Sequence, residues 1–190
     1  MKALVMNGAE DESFQMIEAE LLRQLEKRGF TVTTLQMREM EIDTCAGCFG
    51  CWVKTPGECV INDACRDVAK EMVQSDMVVY LTPVTFGGYS YHIKKAVDRF
   101  IPVLLPYFRV IKGEIHHPHR YKKRPSLVSL GILENKDEEQ EKIFYALNQR
   151  NALNMDPPSY GAGIIHSSQD TKEYAEKIRA MLDSLEVKSA

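Results

Sequence analysis

Short, almost continuous apolar segments recur along the chain, and stretches with helical periodicity separate them. Strands buried on both faces have this character, because helices cover both sides of a parallel sheet. Four such segments are residues 3–6, 77–81, 127–132 and 163–165. A fifth, residues 31–35, mixes polar and apolar side chains, as a half-exposed edge strand does. The pattern therefore predicts five parallel strands that alternate with helices.

Amphipathic stripes occupy the intervals between the strands and follow the last one. Gly29 stands where the first helix needs a left-handed cap, and Asn62 or Asp63 is placed to cap the second. Pro102 stops the third helix. In chain order, the stripes are Phe14, Ile17, Leu21 and Leu25; Cys65, Val68, Ala69, Met72 and Val73; Ile93, Ala96, Val97, Phe100 and Ile101; Ile143, Phe144 and Leu147; and Tyr174, Ile178, Met181, Leu182 and Leu185.

The order of the strands follows from the polarity of the second one. Its edge character favours the order 2-1-3-4-5 over 3-2-1-4-5, in which that strand would be interior. We therefore expect an α/β fold with a five-stranded, doubly wound parallel sheet. No repeat or linker divides the chain, so residues 1–190 are expected to form a single domain, with a cysteine-rich loop at 44–62 and an insertion at about 105–125.

Charge and composition exclude several classes of protein. The formal net charge is −3, which implies no general attraction to nucleic acid or to an anionic membrane. No apolar run approaches the roughly 20 residues that a membrane span requires, and the apolar N-terminal segment is too short for a signal peptide. The chain is therefore expected in the cytoplasm, where its five cysteines are better interpreted as thiols or metal ligands than as disulfides.

Three loops of unusual composition are expected at one edge of the sheet. They are residues 7–13 after strand 1, residues 36–61 after strand 2 and residues 82–90 after strand 3. In doubly wound sheets, ligands bind outside the carboxyl ends of the strands, where the strand order reverses. That point lies between strands 1 and 3, so the three loops define the expected site.

The loop after strand 3 has the features of a flavin site. Gly87 and Gly88 allow the backbone to approach a planar ring closely, and Phe86 and Tyr89 offer apolar faces for stacking. Backbone donors beside such a ring would stabilise its reduced form. The simpler interpretation is a Gly-Gly turn that starts a helix.

The same loop carries a resemblance to a known family. The family motif is a strand, then Pro-Val-Tyr/Thr-Phe/Trp-Gly, then a helix with Lys-x-x-x-Asp-Arg. This chain has a similar pattern in Thr82-Pro83-Val84-Thr85-Phe86-Gly87 and in Lys94-Lys95-Ala96-Val97-Asp98-Arg99. The chain resembles, over nearly its whole length, the NADPH-dependent FMN reductase and iron-sulfur flavoprotein group of the flavodoxin-like superfamily. The resemblance implies a flavodoxin-like three-layer fold, bound FMN, a nicotinamide donor or redox partner protein, and a homodimer or homotetramer. We expect Asp98 and Arg99 to form a local charge pair that fixes the helix.

The first loop departs from the family pattern. There the family reads Gly-Ser-Pro-Arg and then small hydroxyl residues, which hold the FMN phosphate at a helix N-terminus. In this chain only Gly8 and Ser13 match the family pattern, and the acids Glu10, Asp11 and Glu12 stand in place of its basic residue. A carboxylate about 4 Å from the phosphate would oppose binding by about 4 kcal/mol at an effective dielectric near 20. Acids that face water would matter far less, and would favour the helix dipole themselves.

Four cysteines form the rarest feature of the chain, in the spacing Cys45-x2-Cys48-x2-Cys51-x7-Cys59. Iron-sulfur flavoproteins resemble this run closely, which implies a [4Fe–4S] cluster with these four ligands. Reduced thiols that line a pocket and a zinc site are the alternatives. Cys65 lies on the apolar stripe of the next helix and is expected in the core.

The insertion concentrates basic residues and histidines. They are Lys112, His116, His117, His119, Arg120, Lys122, Lys123 and Arg124. These residues could bind NADPH phosphates, and His116 and His119 have the spacing of a His-x-x-His metal site. A solvated or subunit-facing loop is the favoured interpretation.

The predicted function is FMN-dependent NAD(P)H oxidation or flavin-based electron transfer. The expected flavin-binding residues are Gly8, Ser13, Pro83, Val84, Thr85, Phe86, Gly87 and Tyr89. No side chain stands out as a general acid or nucleophile, which fits cofactor chemistry. The alternative is a non-enzymatic thiol or metal redox sensor, in which the acidic first loop no longer binds FMN.

Overall fold

The computed structural model describes residues 1–185, and its strands and helices alternate as the apolar pattern predicts. The strands are β1 (Lys2–Asn7), β2 (Thr31–Gln36), β3 (Met77–Thr85), β4 (Gly88–Tyr89), β5 (Arg109–Ile111), β6 (Glu114–His116), β7 (Ser126–Leu133) and β8 (Tyr160–His166). The helices are α1 (Gln15–Lys27), α2 (Gly50–Val53), α3 (Cys65–Gln74), α4 (Tyr91–Val97), α5 (Glu138–Met155) and α6 (Thr171–Asp183), with 3₁₀ turns at Met37–Glu39 and Ile101–Val103.

Within residues 1–185, five parallel strands form the central sheet in the order β2-β1-β3-β7-β8. Because β7 and β8 are the fourth and fifth strands of this sheet, the predicted order 2-1-3-4-5 is confirmed. The third strand is longer than its apolar run. It continues to Thr85, and β4 returns antiparallel to it with Val84 opposite Tyr89.

Helices cover both faces of the sheet, and each face has its own apolar core. On one face α1 and α6 pack against the strands through residues such as Leu21, Leu25 and Ile178. On the other face α3, α4 and α5 contribute Val68, Ile93 and Phe144. All of these side chains are almost completely buried, so burial of apolar area holds the three layers together.

The ends of the helices agree only in part with those predicted from the sequence. Gly29 follows α1 with a φ of 81°, the left-handed conformation that was predicted for it. Ala64, not Asn62 or Asp63, is the first flanking residue of α3, yet the Asp63 carboxylate accepts a hydrogen bond from the Cys65 amide at 3.0 Å. The third helix ends at Val97 and is shorter than its apolar stripe, because the chain turns into a 3₁₀ segment around Pro102.

The basic insertion is more ordered than the solvated loop expected from its composition. It contains the β5–β6 hairpin, in which Val110 pairs with Ile115. Its charges bind remote parts of the chain: Arg124 pairs with Asp156, and Lys123 with Asp76. These ion pairs explain the difference, since their acidic partners lie far away in the sequence.

The structure does not place His116 and His119 as ligands of the His-x-x-His metal site that their spacing suggests. His116 is buried, and its Nδ1 lies 3.0 Å from Asn154 Oδ1. In the part of the chain described, no three His, Cys, Asp or Glu side chains are grouped to hold a metal ion. None of the described helices is both long and apolar enough to cross a membrane.

Candidate functional site

The loops after β1 and β3 meet at the carboxyl rim of the sheet. Asn7 ends β1 opposite Leu81 in β3, and the Gly8 amide donates to the Leu81 carbonyl at 2.8 Å. A Cβ atom on Gly8 would lie 2.5 Å from both Ile93 Cγ1 and Ser90 Oγ. Only glycine therefore allows this loop to lie directly against the start of α4.

The loop after β3 is a tight hairpin that rests on α5. Phe86 and Gly87 turn the chain with positive φ angles of 50° and 77°. The Gly87 amide donates to Gln140 Oε1 at 3.3 Å, and a Cβ on Gly87 would lie 2.5 Å from Ile143. A left-handed Phe is unfavourable and persists only where its surroundings enforce it. Packing of the turn on α5 provides that constraint.

This hairpin projects the ring of Phe86 into solvent. Phe86 is 91% exposed, while the neighbouring Pro83 and Val84 are half-buried and Thr85 is exposed. An aromatic ring in this state has apolar area to bury against a planar ligand. The rim therefore combines an available ring with a tight turn that packs on α5.

Tyr89 does not provide the stacking face expected of it. Its side chain is 6% exposed and packs against Tyr80 and Phe144. The hydroxyl donates to Asn148 Oδ1 at 2.7 Å and accepts from Asn151 Nδ2 at 3.0 Å. These partners satisfy the buried hydroxyl and hold the ring in the core. Sequence alone missed this because the asparagines lie in α5, about 60 residues away.

The loop after β1 satisfies two of its backbone donors with its own side chains. The Ala9 amide donates to Asn7 Oδ1 at 2.9 Å, and the Ser13 amide donates to Asp11 Oδ1 at 2.8 Å. A bond from the Ser13 hydroxyl, and next the one from the Ser13 amide, lower the pKa of the Asp11 carboxyl. Glu10, Asp11 and Glu12 are all exposed, as is Ser13. As it stands, this loop does not fit a phosphate.

The four cysteines of the motif are not preassembled as metal ligands. Cys45 and Cys48 are exposed, Cys51 is buried and Cys59 is half-buried. Burial, and next the neighbouring Cys59, raise the pKa of the Cys51 thiol. The donor types suit iron-sulfur chemistry, but residues 1–185 contain no group of three His, Cys, Asp or Glu placed for a metal. A cluster would require the segment to rearrange.

Trp52 fastens this cysteine segment to the turn after α4. Its indole N–H lies 3.2 Å from the Ile101 carbonyl and 3.1 Å from the Leu104 carbonyl. Its ring stacks on Phe49 on one side and contacts His117 of the insertion on another. The indole thus joins the cysteine segment to two other parts of the chain.

Arg99 is the second anchor, and its side chain is fully buried. Its guanidinium pairs with Asp63 and donates to the carbonyls of Asp43 at 3.0 Å and Ile61 at 3.3 Å. Burial by itself would raise the pKa of Asp63, but the bond from Arg99 and those from two backbone amides lower it overall. Both ends of the cysteine-rich segment are therefore held by one cation.

The expected pair between Asp98 and Arg99 is wrong. Asp98 instead pairs with Lys94, one helical turn earlier. Consecutive residues on a helix point in different directions, which is the signal that could have excluded the pair. Cys65, by contrast, lies in the core as predicted, and burial raises the pKa of its thiol to about 12.

Comparison with known proteins identifies the class to which this rim belongs. Residues 1–128 match the family described as NADPH-dependent FMN reductase. The chain belongs to this family. Membership confirms the resemblance carried by residues 82–87 and 94–99, and the family is one of FMN-binding reductases with a nicotinamide donor.

Two curated relatives that match part of the chain are named iron-sulfur flavoproteins. One from Methanocaldococcus jannaschii is 28% identical over 105 residues, which cover 54% of this chain and 53% of the relative. One from Archaeoglobus fulgidus is 32% identical over 88 residues, which cover 46% of this chain and 39% of the relative. The chain thus spans about half the length of these relatives or less.

Solved structures agree in fold. An NAD(P)H:quinone oxidoreductase from Methanothermobacter marburgensis superposes with a TM-score of 0.69 at 10% identity, over 95% of this chain and 94% of the other. An azoreductase from Bacillus anthracis gives 0.60 at 13% identity, over 96% and 95%. The flavodoxin-like α/β fold is therefore confirmed.

Asp63→Asn should destabilise the fold strongly, because it leaves the Arg99 cation buried without a counter-charge. Removing one partner of a buried pair typically costs about 3–5 kcal/mol. The matched control is Asp98→Asn, which removes the exposed pair with Lys94 at the residue before Arg99 and should cost about 0.5 kcal/mol or less. Urea unfolding measures both values. Equal effects of the two substitutions would contradict the anchoring role of Arg99.

Proposed function

We propose that this chain is an NAD(P)H-dependent flavin oxidoreductase whose isoalloxazine ring lies at the carboxyl rim of β1 and β3. Membership in the FMN reductase family supports the chemistry. The observation that carries the location is the exposed ring of Phe86, held outward by a turn that packs on α5. A bound flavin accepts hydride from a nicotinamide and passes electrons to an acceptor.

The residues of the chain position and cover the ring in this proposal. Phe86 stacks on it, and Pro83, Val84 and Thr85 line the same edge. Gly87 holds the hairpin in place, since its contact with Ile143 leaves no room for a side chain. Gly8 keeps the first loop close to the start of α4, and in this proposal that loop lies on the other side of the ring. No side chain is needed as an acid, because orientation and exclusion of water govern hydride transfer.

Phe86→Ala tests this location without disturbing the core. Loss of a stacking ring costs about 0.5–1.5 kcal/mol, so flavin affinity should fall roughly two- to tenfold. Flavin-dependent oxidation of NADPH and of NADH, followed anaerobically, gives kcat/KM for the flavin, which should fall by the same factor.

Tyr160→Ala is the control for this experiment. Tyr160 is also an exposed aromatic residue, but it begins β8 at the opposite rim of the sheet. Its removal should leave flavin affinity unchanged. A wild-type protein that oxidises neither nicotinamide in the presence of flavin would contradict the proposed activity, and equal losses in the two variants would contradict the location.

A [4Fe–4S] cluster on Cys45, Cys48, Cys51 and Cys59 is a separate proposal. The spacing of the four thiols and the names of the curated relatives support it. The Gly50 amide already donates to Cys48 Sγ at 3.5 Å, a kind of bond that stabilises sulfur ligands. Assembly would have to draw the exposed Cys45 and Cys48 towards the buried Cys51. A homodimer or homotetramer likewise stays an expectation from the family resemblance.

Metal analysis after anaerobic reconstitution with iron and sulfide tests the cluster. We expect about four iron atoms per chain in the wild type and in Cys65→Ala, which lies outside the motif, and loss of iron in Cys48→Ser. One zinc and no iron would indicate a structural zinc site instead. A protein that binds neither metal nor flavin would favour the thiol sensor.

A further inference from the structure

Part of the backbone donors in the loop after β1 are already engaged. The amides of Gly8, Ala9 and Ser13 donate to Leu81 O, Asn7 Oδ1 and Asp11 Oδ1, and the Gln15 amide at the start of α1 donates to Glu12 O at 3.1 Å. Backbone amides of this kind are what a helix N-terminus offers to a phosphate. Here oxygens of the chain itself already accept from these four amides, whereas the amides of Glu10, Glu12 and Phe14 have no acceptor within residues 1–185.

The group that accepts from the Ser13 amide is the Asp11 carboxylate, which is negatively charged like a phosphate. Hydrogen bonds from Ser13 lower the pKa of Asp11, so its carboxylate is ionised at neutral pH. Glu10 and Glu12 flank it and are also exposed. Arg38, the cation that contacts this loop, donates to the Asp11 carbonyl at 3.2 Å and pairs with Glu39 at 3.3 Å. A phosphate that takes the Ser13 amide would have to displace the Asp11 carboxylate and remain beside Glu10 and Glu12.

The part of the rim that faces a planar ring has no such conflict. The ring of Phe86 is exposed, Pro83 and Val84 are half-buried, and no acidic residue stands between Thr82 and Ser90. The two halves of the site therefore differ in what they accept. The half beneath Phe86 suits an uncharged aromatic ring, and the half at the first loop repels an anion.

We propose that the site selects flavins without the 5′-phosphate, riboflavin above all, and that Asp11 is the residue that discriminates against FMN. The inference rests on the proposed flavin site and names its ligand class. Family membership gives FMN as the family's flavin, and the contacts of the first loop are the reason that this chain differs. Flavin affinity then depends on contacts with the ring, and the phosphate of FMN lowers that affinity.

Titrations of the full chain with riboflavin and with FMN, followed by flavin fluorescence, test the proposal. The wild type should bind riboflavin more tightly than FMN. Asp11→Asn keeps an oxygen to accept from the Ser13 amide but loses the charge. It should tighten FMN roughly three- to tenfold, as expected for one partly screened charge, and leave riboflavin unchanged. Higher salt should tighten FMN binding to the wild type, since screening weakens the repulsion.

Glu26→Gln is the matched control, because it removes one exposed acid from the other end of α1. It should not alter the ratio of the two affinities. A wild type that prefers FMN, or an unchanged ratio in Asp11→Asn, would overturn this proposal and leave the flavin site standing. Absence of saturable binding by either flavin would overturn both.

Discussion

Parallel pairing between β1 and β3 is the interaction on which the site depends. The two strands run side by side from Ala3 opposite Met77 to Asn7 opposite Leu81, where β1 ends and β3 continues to Thr85. The next residue, Gly8, still donates to Leu81, which carries the contact into the loops. Helix α1 then leaves towards one face of the sheet and α4 lies on the other. The loops between strands and helices are left facing each other, as they are at every such reversal of strand order.

The buried cation of Arg99 extends this frame to the cysteine segment. A fully buried charge is tolerated only when it is paired and hydrogen-bonded, and Arg99 meets this need with Asp63 and the carbonyls of Asp43 and Ile61. The same contacts hold the two ends of the segment that carries the four thiols. Trp52 fixes its middle by bonds to Ile101 and Leu104. Polar contacts thus anchor the segment, although its four thiols are not arranged to bind a metal within residues 1–185.

Properties that depend on neighbours in the sequence could be predicted, and those that depend on remote partners could not. The apolar runs identify β1, β3, β7 and β8 because burial on both faces leaves its mark on every residue of a strand. The stripe around Cys65 likewise placed that thiol in the core. Tyr89 was misplaced because its partners Asn148 and Asn151 come from α5. The composition of the insertion indicates a loop because the acids that pair with it, Asp76 and Asp156, lie outside it.

The central claim is that a flavin ring lies at the carboxyl rim between β1 and β3. Backbone amide chemical shifts, followed during titration of the labelled protein with riboflavin, test it most directly. We predict the largest changes at Gly8 and at residues 84–88, with little change along α6. Changes centred on the β5–β6 hairpin or on the groove between α1 and α6, with none at Gly8 and Gly87, would contradict it.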